Sequence, residues 1–209
     1  MTSLATLLGD VVGSREAPDR RALHARLSEV VAQVNATTSP VQPVTVRTGD
    51  EVQGAWERRG QAAHAALLLR LGLLPEVETR YGLAHGEVTA LSEDGSVQDG
   101  PGWWLARDAI TLAKEGETGA AREARIVRTR WREDSPAGLA LDVALQHRDL
   151  LIAGLDDRSL RLLTGLLAGS SQQALAEAED ISPTAVSRRV HRDALDHLVR
   201  LSDELAGLP

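Results

Sequence analysis

The feature that most constrains this chain is an apolar segment that runs directly into an acid. Residues 4–15 read LATLLGDVVGSR, so an uncharged stretch leads into Asp10 and then into a tight turn at Gly13 and Ser14. Because residues 4–9 carry no charge, the segment predicts a strand that is buried on both faces of a sheet. A carboxylate at the end of a buried strand is costly unless a positive charge meets it.

A second strand-to-acid pattern follows at residues 44–52, where a β-branched run leads into Arg47-Thr48-Gly49-Asp50-Glu51. Two strands that each end in Gly-Asp predict two adjacent central strands, which would bring Asp10 and Asp50 together. Paired carboxylates beside main-chain carbonyls form a hard-cation site, for which Mg²⁺ is the best candidate. The alternative is two ordinary turns, since Gly-Asp dipeptides are common between strands.

Composition bounds the class of protein. The chain has 209 residues, no cysteine and a net charge of −7, which disfavours a protein that coats nucleic acid non-specifically. The length suits one large domain, or one medium domain with a small appendage. Without a run of ~20 apolar residues or a signal-peptide pattern, we expect a cytoplasmic protein with no membrane segment.

The order of the predicted elements gives the fold class. Strands are predicted at 4–9, 44–48, 52–56, 80–89 and 126–131, and helices at 17–35, 61–74 and 103–113. This β-α-β-β-α-β-α-β order predicts an α+β fold, a ferredoxin-like palm with its helices on one face of an antiparallel sheet. From residue 136 only helices are predicted, at 138–151, 158–167, 172–179 and 182–205. We therefore divide the chain into a palm domain, 1–134, and an all-helical domain, 135–209.

Two glycines inside the fourth strand, Gly82 and Gly86, predict close approach by another part of the chain. Trp103 and Trp104 are the expected neighbours of these glycines. They would act either as a lid over a bound base or as a plug that fills the pocket.

The C-terminal segment SQQALAEAEDISPTAVSRRVHR, residues 171–192, has the pattern of a helix-turn-helix. Ser182 suits the N-cap and Pro183 the first position of the second helix. The side chains that we expect to face DNA are Thr184, Ser187, Arg188, Arg189 and Arg192. The alternative is a plain helical bundle or a dimerisation arm.

Four segments resemble the SatD family of bacterial proteins: LLGDVVGSR, TGDEVQG, RYGLAHGEV and DGPGWWLARDAI. The first three also resemble class III nucleotidyl cyclases and GGDEF-type diguanylate cyclases, and the tail resembles the helix-turn-helix of bacterial regulators and of sigma-factor region 4. The cyclase resemblance implies a metal site formed by Asp10, Asp50 and the carbonyl of Val11. It also implies a nucleotide site at Val12, Gly13, Ser14, Glu51 and Arg107.

Two positions depart from the cyclase pattern. Where those enzymes read the purine with a lysine this chain has Val46, and where they have a catalytic asparagine it has Trp103. Losing oriented donors of this kind costs ~10²–10³ in rate each. We therefore expect a chain that is not an enzyme.

The predicted function is a DNA-binding transcriptional regulator whose palm domain senses a nucleotide with Mg²⁺. A single recognition helix makes few phosphate contacts, so we expect a homodimer that binds an inverted repeat. One rival function is an active nucleotidyl cyclase or nucleotidyltransferase with a structural tail. Another is a protein-interaction module that keeps only the fold.

Overall fold

A computed structural model describes residues 2–47, 49–93, 95, 97–117 and 126–209. Its strands are β1 (Thr2–Val11), β2 (Gln42–Val46), β3 (Val52–Trp56), β4 (Thr79–Ala90), β5 (Gln98–Asp99) and β6 (Thr129–Arg132). Its helices are α1 (Arg20–Thr38), α2 (Arg59–Leu73), α3 (Pro101–Glu117), α4 (Pro136–Ala153), α5 (Asp157–Leu167), α6 (Gln172–Ala178), α7 (Pro183–Arg192) and α8 (Leu195–Ala206). The mixed α+β class is confirmed, and the two-residue strand β5 was not predicted. None of the described helices combines the length and apolarity needed to cross a membrane.

The sheet runs in the order β2-β3-β1-β4, with these neighbours antiparallel. Strand β6 pairs with β4 in parallel along residues 81–84, and β5 pairs with the end of β4. The prediction that the two Gly-Asp strands are adjacent is wrong, because β3 lies between β1 and β2. Strand β3 is almost wholly buried, whereas β2 buries only Val44, so β3 takes the central place and β2 the edge.

Helices α1 and α2 cover one face of the sheet. On that face Leu7 of β1, Tyr81 of β4 and Trp131 of β6 pack against apolar side chains of both helices. Asp19 caps α1 by accepting the backbone N–H groups of Arg21 and Ala22.

Helix α3 lies on the opposite face, so the prediction that the helices share one face is wrong. Its Ala106 and Ile110 pack against Leu8 and Ala84, which point away from α1 and α2. The predicted close approach of another segment to Gly82 and Gly86 is confirmed, and that segment is α3. A Cβ added at Gly82 would lie 2.3 Å from the carbonyl oxygen of Ala106 and from the amide of Ile110.

Helix α4 covers the open edge of β6 with two carboxylates seven residues apart. Asp142 accepts the backbone N–H of Trp131 at 2.8 Å, and Asp149 accepts those of Arg128 and Thr129. These side chains satisfy amide groups that a neighbouring strand would otherwise satisfy. The edge is therefore closed by helix α4 rather than left free for pairing.

Helix α2 belongs to two apolar cores. One face packs on the sheet, while Leu67 and Leu71 pack among the side chains of α5, α6, α7 and α8.

The single helix predicted over 182–205 is wrong, because Ala194 adopts a left-handed conformation (φ 51°) and separates α7 from α8. The break lets α8 return to α2, where the main-chain oxygens of Leu208 and Pro209 accept the N–H groups of Gly60 and Arg59. The division into domains 1–134 and 135–209 stays a prediction.

Substitution Gly82→Ala should destabilise the fold by about 2 kcal/mol or more, since the added methyl group meets backbone rather than a movable side chain. Urea unfolding measures the effect. Gly154→Ala is the matched control, because Gly154 has a negative φ and its added Cβ meets only an ordinary 3.5 Å contact. Equal stability of the two variants would contradict the close packing of α3 on β4.

Candidate functional site

Three of the predicted site residues line one hollow on the α3 face of the sheet. Because Gly9 pairs with Val52, Asp10 at the end of β1 comes opposite Glu51 in the β2–β3 turn. Arg107 of α3 lines the same hollow as these two acids. The structure therefore brings together Asp10, Glu51 and Arg107.

Two adjoining hollows of about 380 and 50 Å³ lie between α3 and β3, and we call them together the α3 groove. Leu8, Gln53 and Arg107 line both hollows. Trp103 and Trp104 line only the first. The groove is completed by Gln98 and Asp108 in the first hollow and by Gly9, Asp10, Arg47, Glu51, Val52 and Ile110 in the second.

The cationic side chains of the groove come from two elements. Arg107 is exposed on α3, and no hydrogen bond or ion pair holds its guanidinium group among the described residues. Arg47 follows β2, and its Nε and Nη2 donate to Gln53 at 3.2 and 2.9 Å when the Gln53 amide oxygen is turned toward it. The Arg107 guanidinium is therefore available to an anion, and Arg47 can offer an anion the donors that Gln53 does not take.

The two indole rings differ in their surroundings. Trp104 is 58% exposed and is oriented by a 2.7 Å hydrogen bond from its Nε1 to Asp99. Trp103 is half-buried and packs near Leu4 and Val88. The glycines of β4 pack against the backbone of α3 rather than against the indole rings. The indole of Trp104 is therefore exposed to solvent at the groove.

Asp10 forms ion pairs with two cationic side chains of the protein. It is 7% exposed, its Oδ1 accepts from Arg80 Nε at 2.8 Å, and its Oδ2 lies 2.6 Å from Lys114 Nζ. Arg80 stands directly across from Asp10 in the β1–β4 register and also pairs with Glu117 at 2.6 Å. The positive charge that a buried carboxylate needs is thus supplied to Asp10 by two side chains of the protein, Arg80 and Lys114.

A Mg²⁺ ion does not fit this donor set. Both oxygens of Asp10 are engaged, and Arg47 and Arg107 line the hollow that Glu51 shares with it. No group of three Asp, Glu or His residues that could hold a metal occurs in the described part of the chain. The charges at this end of the groove suit an anion better than a hard cation.

Asp50 and Ser14 line a different hollow of about 240 Å³ together with Arg20 and His24. Val11, Val12, Gly13 and Ser14 also line a hollow of about 720 Å³ beside α1. Its charged residues are four acids and one base, namely Glu16, Asp19, Glu76, Glu78 and Arg26. This lining is more acidic than that of the α3 groove, where Asp10, Glu51 and Asp108 accompany Arg47 and Arg107. The roles assigned to 11–14 and to Asp50 stay predictions.

The residues expected to face DNA lie on α7. Thr184 and Arg188 are exposed and Ser187 is half-buried, while Val186 is fully buried under them. Glu179, at the end of α6, forms ion pairs with Arg161 and Arg158, and these hold the pKa of its carboxyl below the usual range.

The two remaining arginines of α7 are held by carboxylates. Arg189 donates to Asp156 at 2.7 Å and to the hydroxyl of Ser159, and it holds the pKa of Asp156 well below its usual range. Arg192 forms a bidentate pair with Asp193. Among the predicted DNA contacts, Arg188 is therefore the arginine without an ion pair in the described part of the chain.

Sequence reasoning missed Arg47, Arg80 and Lys114. The positions of Arg107 and Lys114, seven residues apart, do signal that both lie along one side of α3. The pairing of Arg80 with Asp10 depends on the antiparallel register of β1 and β4, which the sequence pattern alone does not fix.

The chain belongs to the SatD family, whose pattern it matches over residues 4–206. A comparison with curated proteins finds no match. Among solved structures it is similar to a bacterial light-regulated adenylyl cyclase, at 14% identity and a TM-score of 0.48, over 67% of this chain and 44% of that one. It is similar to an adenylate/guanylate cyclase/hydrolase from Silicibacter pomeroyi, at 21% identity and a TM-score of 0.40, over 51% and 67% of the two chains. A monomeric guanylyl cyclase domain of the RhoGC fusion protein from the aquatic fungus Blastocladiella emersonii gives 17% identity and a TM-score of 0.41, over 53% and 75%. At these identities and TM-scores the similarities say nothing about activity.

Substitution Asp10→Asn should lower the free energy of unfolding by about 2 to 3 kcal/mol, because it removes the charge that compensates Arg80 and Lys114. Asp50→Asn is the control and should change it by less than about 0.5 kcal/mol. Chemical unfolding without added metal measures both. If Asp10 were instead one of two crowded, uncompensated acids, its neutralisation would stabilise the protein.

Proposed function

We propose that this member of the SatD family is a regulatory protein that binds a nucleotide in the α3 groove. One observation carries the proposal: the groove joins two guanidinium groups to two indole rings. Arg47 and Arg107 line one hollow, and Arg107 also lines the neighbouring one with Trp103 and Trp104. Guanidinium groups bind phosphate oxygens in pairs, and indole faces stack on bases. A nucleotide offers a flat ring and an anion in this arrangement.

Regulation is a better candidate than catalysis. Val46, at the position of the purine-reading lysine of cyclases, packs against the core on the α1 and α2 side and so does not line the groove. The indole of Trp103 has no acceptor and one donor, and that donor binds Gln98. An active cyclase or nucleotidyltransferase remains the rival and would be favoured by turnover of ATP or GTP.

Titration with ATP or GTP should change the tryptophan fluorescence of the protein. Trp104→Leu should abolish most of the change and weaken binding at least about fivefold, since base–aromatic stacking contributes about 1–3 kcal/mol. Arg107→Gln should weaken binding about tenfold through loss of a charge-assisted contact.

The matched control for Arg107→Gln is Arg21→Gln, which removes one exposed charge from α1 on the opposite side of the sheet. Fluorescence and calorimetric titration should give the same affinity for this control as for the unchanged protein. Absence of binding at millimolar nucleotide, or equal loss in the Arg21 and Arg107 variants, would refute the groove as a nucleotide site.

A second candidate function, sequence-specific DNA binding, is favoured by the turn between α6 and α7. Asp180 adopts a positive φ of 51°, and Ser182 caps α7 by accepting the N–H of Ala185. Buried Ala176 and Val186 bring the two helices together, as a helix-turn-helix requires. We extend the proposal to a homodimer that binds an inverted repeat through Thr184, Ser187 and Arg188.

If α7 reads DNA, Arg188→Ala should weaken binding to the specific site about tenfold or more and leave random DNA less affected. Gel shifts with fragments of the protein's own operon provide the specific site. Arg200→Ala, which removes an exposed charge from α8, is the control and should leave specificity unchanged. Arg189→Ala should lower stability instead, because it breaks the contacts to Asp156 and Ser159. A monomer that shifts no fragment would count against this function.

A further inference from the structure

The one ammonium side chain in the protein lies beside the α3 groove, in contact with Asp10, which lines it. The sequence contains 23 basic residues counted as Lys and Arg, and Lys114 is the single lysine among them. Its Nζ lies 2.6 Å from Asp10 Oδ2. Its side chain is 41% exposed, whereas that of Asp10 is 8% exposed. Lys114 therefore covers a buried carboxylate while remaining in contact with solvent.

Lys114 lies on the same side of α3 as the groove residues Trp103 and Arg107. Arg107 follows Trp103 by four residues, and Lys114 follows Arg107 by seven. At about 100° per residue, the three side chains leave the helix within about 40° of one another. The three positions form a stripe about 16 Å long on one side of the helix. A ligand whose base stacks on the indole rings and whose first phosphate meets Arg107 would extend its further phosphates toward Lys114.

Asp10 does not depend on Lys114 alone for compensation. Arg80 donates to the other oxygen at 2.8 Å, is only 14% exposed, and is itself held by Glu117. When the ammonium group moves, the carboxylate keeps its buried guanidinium partner. An ammonium on a flexible stem also loses less oriented hydrogen bonding on moving than a planar guanidinium would.

From this geometry we infer that Lys114 serves as a tethered cation for the phosphates of the ligand, so that the groove binds the metal-free nucleoside polyphosphate. This inference rests on the proposed nucleotide-binding function and names its ligand class. In metal-dependent nucleotide sites, carboxylates hold a divalent cation that in turn meets the phosphates. Here Asp10 holds Lys114 and Arg80 instead, and Lys114 swings from Asp10 to the phosphate. The metal complex, whose phosphates are already partly neutralised, would bind no better than the free polyanion.

Calorimetric titration of the full chain with ATP and with GTP, in EDTA and in excess Mg²⁺, tests the inference. Binding in EDTA should be at least as tight as in Mg²⁺. Lys114→Gln should weaken binding in EDTA about tenfold, and Lys114→Arg, which keeps the charge, should weaken it less than about threefold. Arg200→Gln is the control for removal of one exposed charge and should bind normally. Thermal unfolding establishes that each variant is folded.

A second readout uses the single lysine directly. Acetic anhydride acetylates Lys114 and the α-amino group, and mass spectrometry separates the two. ATP in EDTA should slow acetylation of Lys114 at least about fivefold and leave the α-amino group unchanged.

The outcomes separate the two proposals. Binding only in the presence of Mg²⁺, or normal binding by folded Lys114→Gln, would overturn the tethered cation and leave the nucleotide groove standing. Absence of binding in both EDTA and Mg²⁺ would overturn the groove and the inference together. Metal-independent binding that requires Lys114 and protects it from acetylation supports both.

Discussion

The interaction on which the rest of the structure depends is the buried carboxylate of Asp149. It is 1% exposed and accepts from the Arg70 guanidinium at 2.7 Å and from the backbone amides of Arg128 and Thr129. A carboxylate removed from water is costly unless such donors surround it, so these contacts must form together. They join α4, α2 and the start of β6, and they fix where the helical half meets the sheet. The neighbouring Arg148 is fully buried, and burial lowers its pKa to about 10.

From Asp149 a chain of alternating charges crosses the end of the sheet to the groove. It runs Asp149, Arg70, Glu78, Arg128, Glu117, Arg80, Asp10 and Lys114. The chain begins at a buried acid, Asp149, and ends at a half-exposed ammonium, Lys114, while the side chains between them are 3% to 30% exposed. Rigid pairs near the core hold Asp10 in position, while the last member remains free to move onto a ligand. The fold and the proposed nucleotide site thus share one set of ion pairs.

The sequence predicted the parts of this arrangement that depend on local pattern. The glycines of β4 predicted a close approach by another segment, and that segment is α3. Helical periodicity does not tell which face of a sheet a helix will cover, so the position of α3 was missed. Strand register and the pairing of charges across it are likewise set by tertiary packing. For that reason the sequence alone predicts a metal at Asp10, where the structure has Arg80 and Lys114.

We expect α2 and the ion pairs around Asp149 to make the sheet and the helical half one cooperative unit. The four tryptophans, at positions 56, 103, 104 and 131, all belong to the sheet half, whereas residues 136–206 are almost wholly helical. Urea unfolding followed in one sample by tryptophan fluorescence and by far-ultraviolet circular dichroism therefore reports on both halves. One cooperative unit gives coincident transitions with a single midpoint. Two separated transitions, with the fluorescence change distinct from the loss of helix, would contradict it.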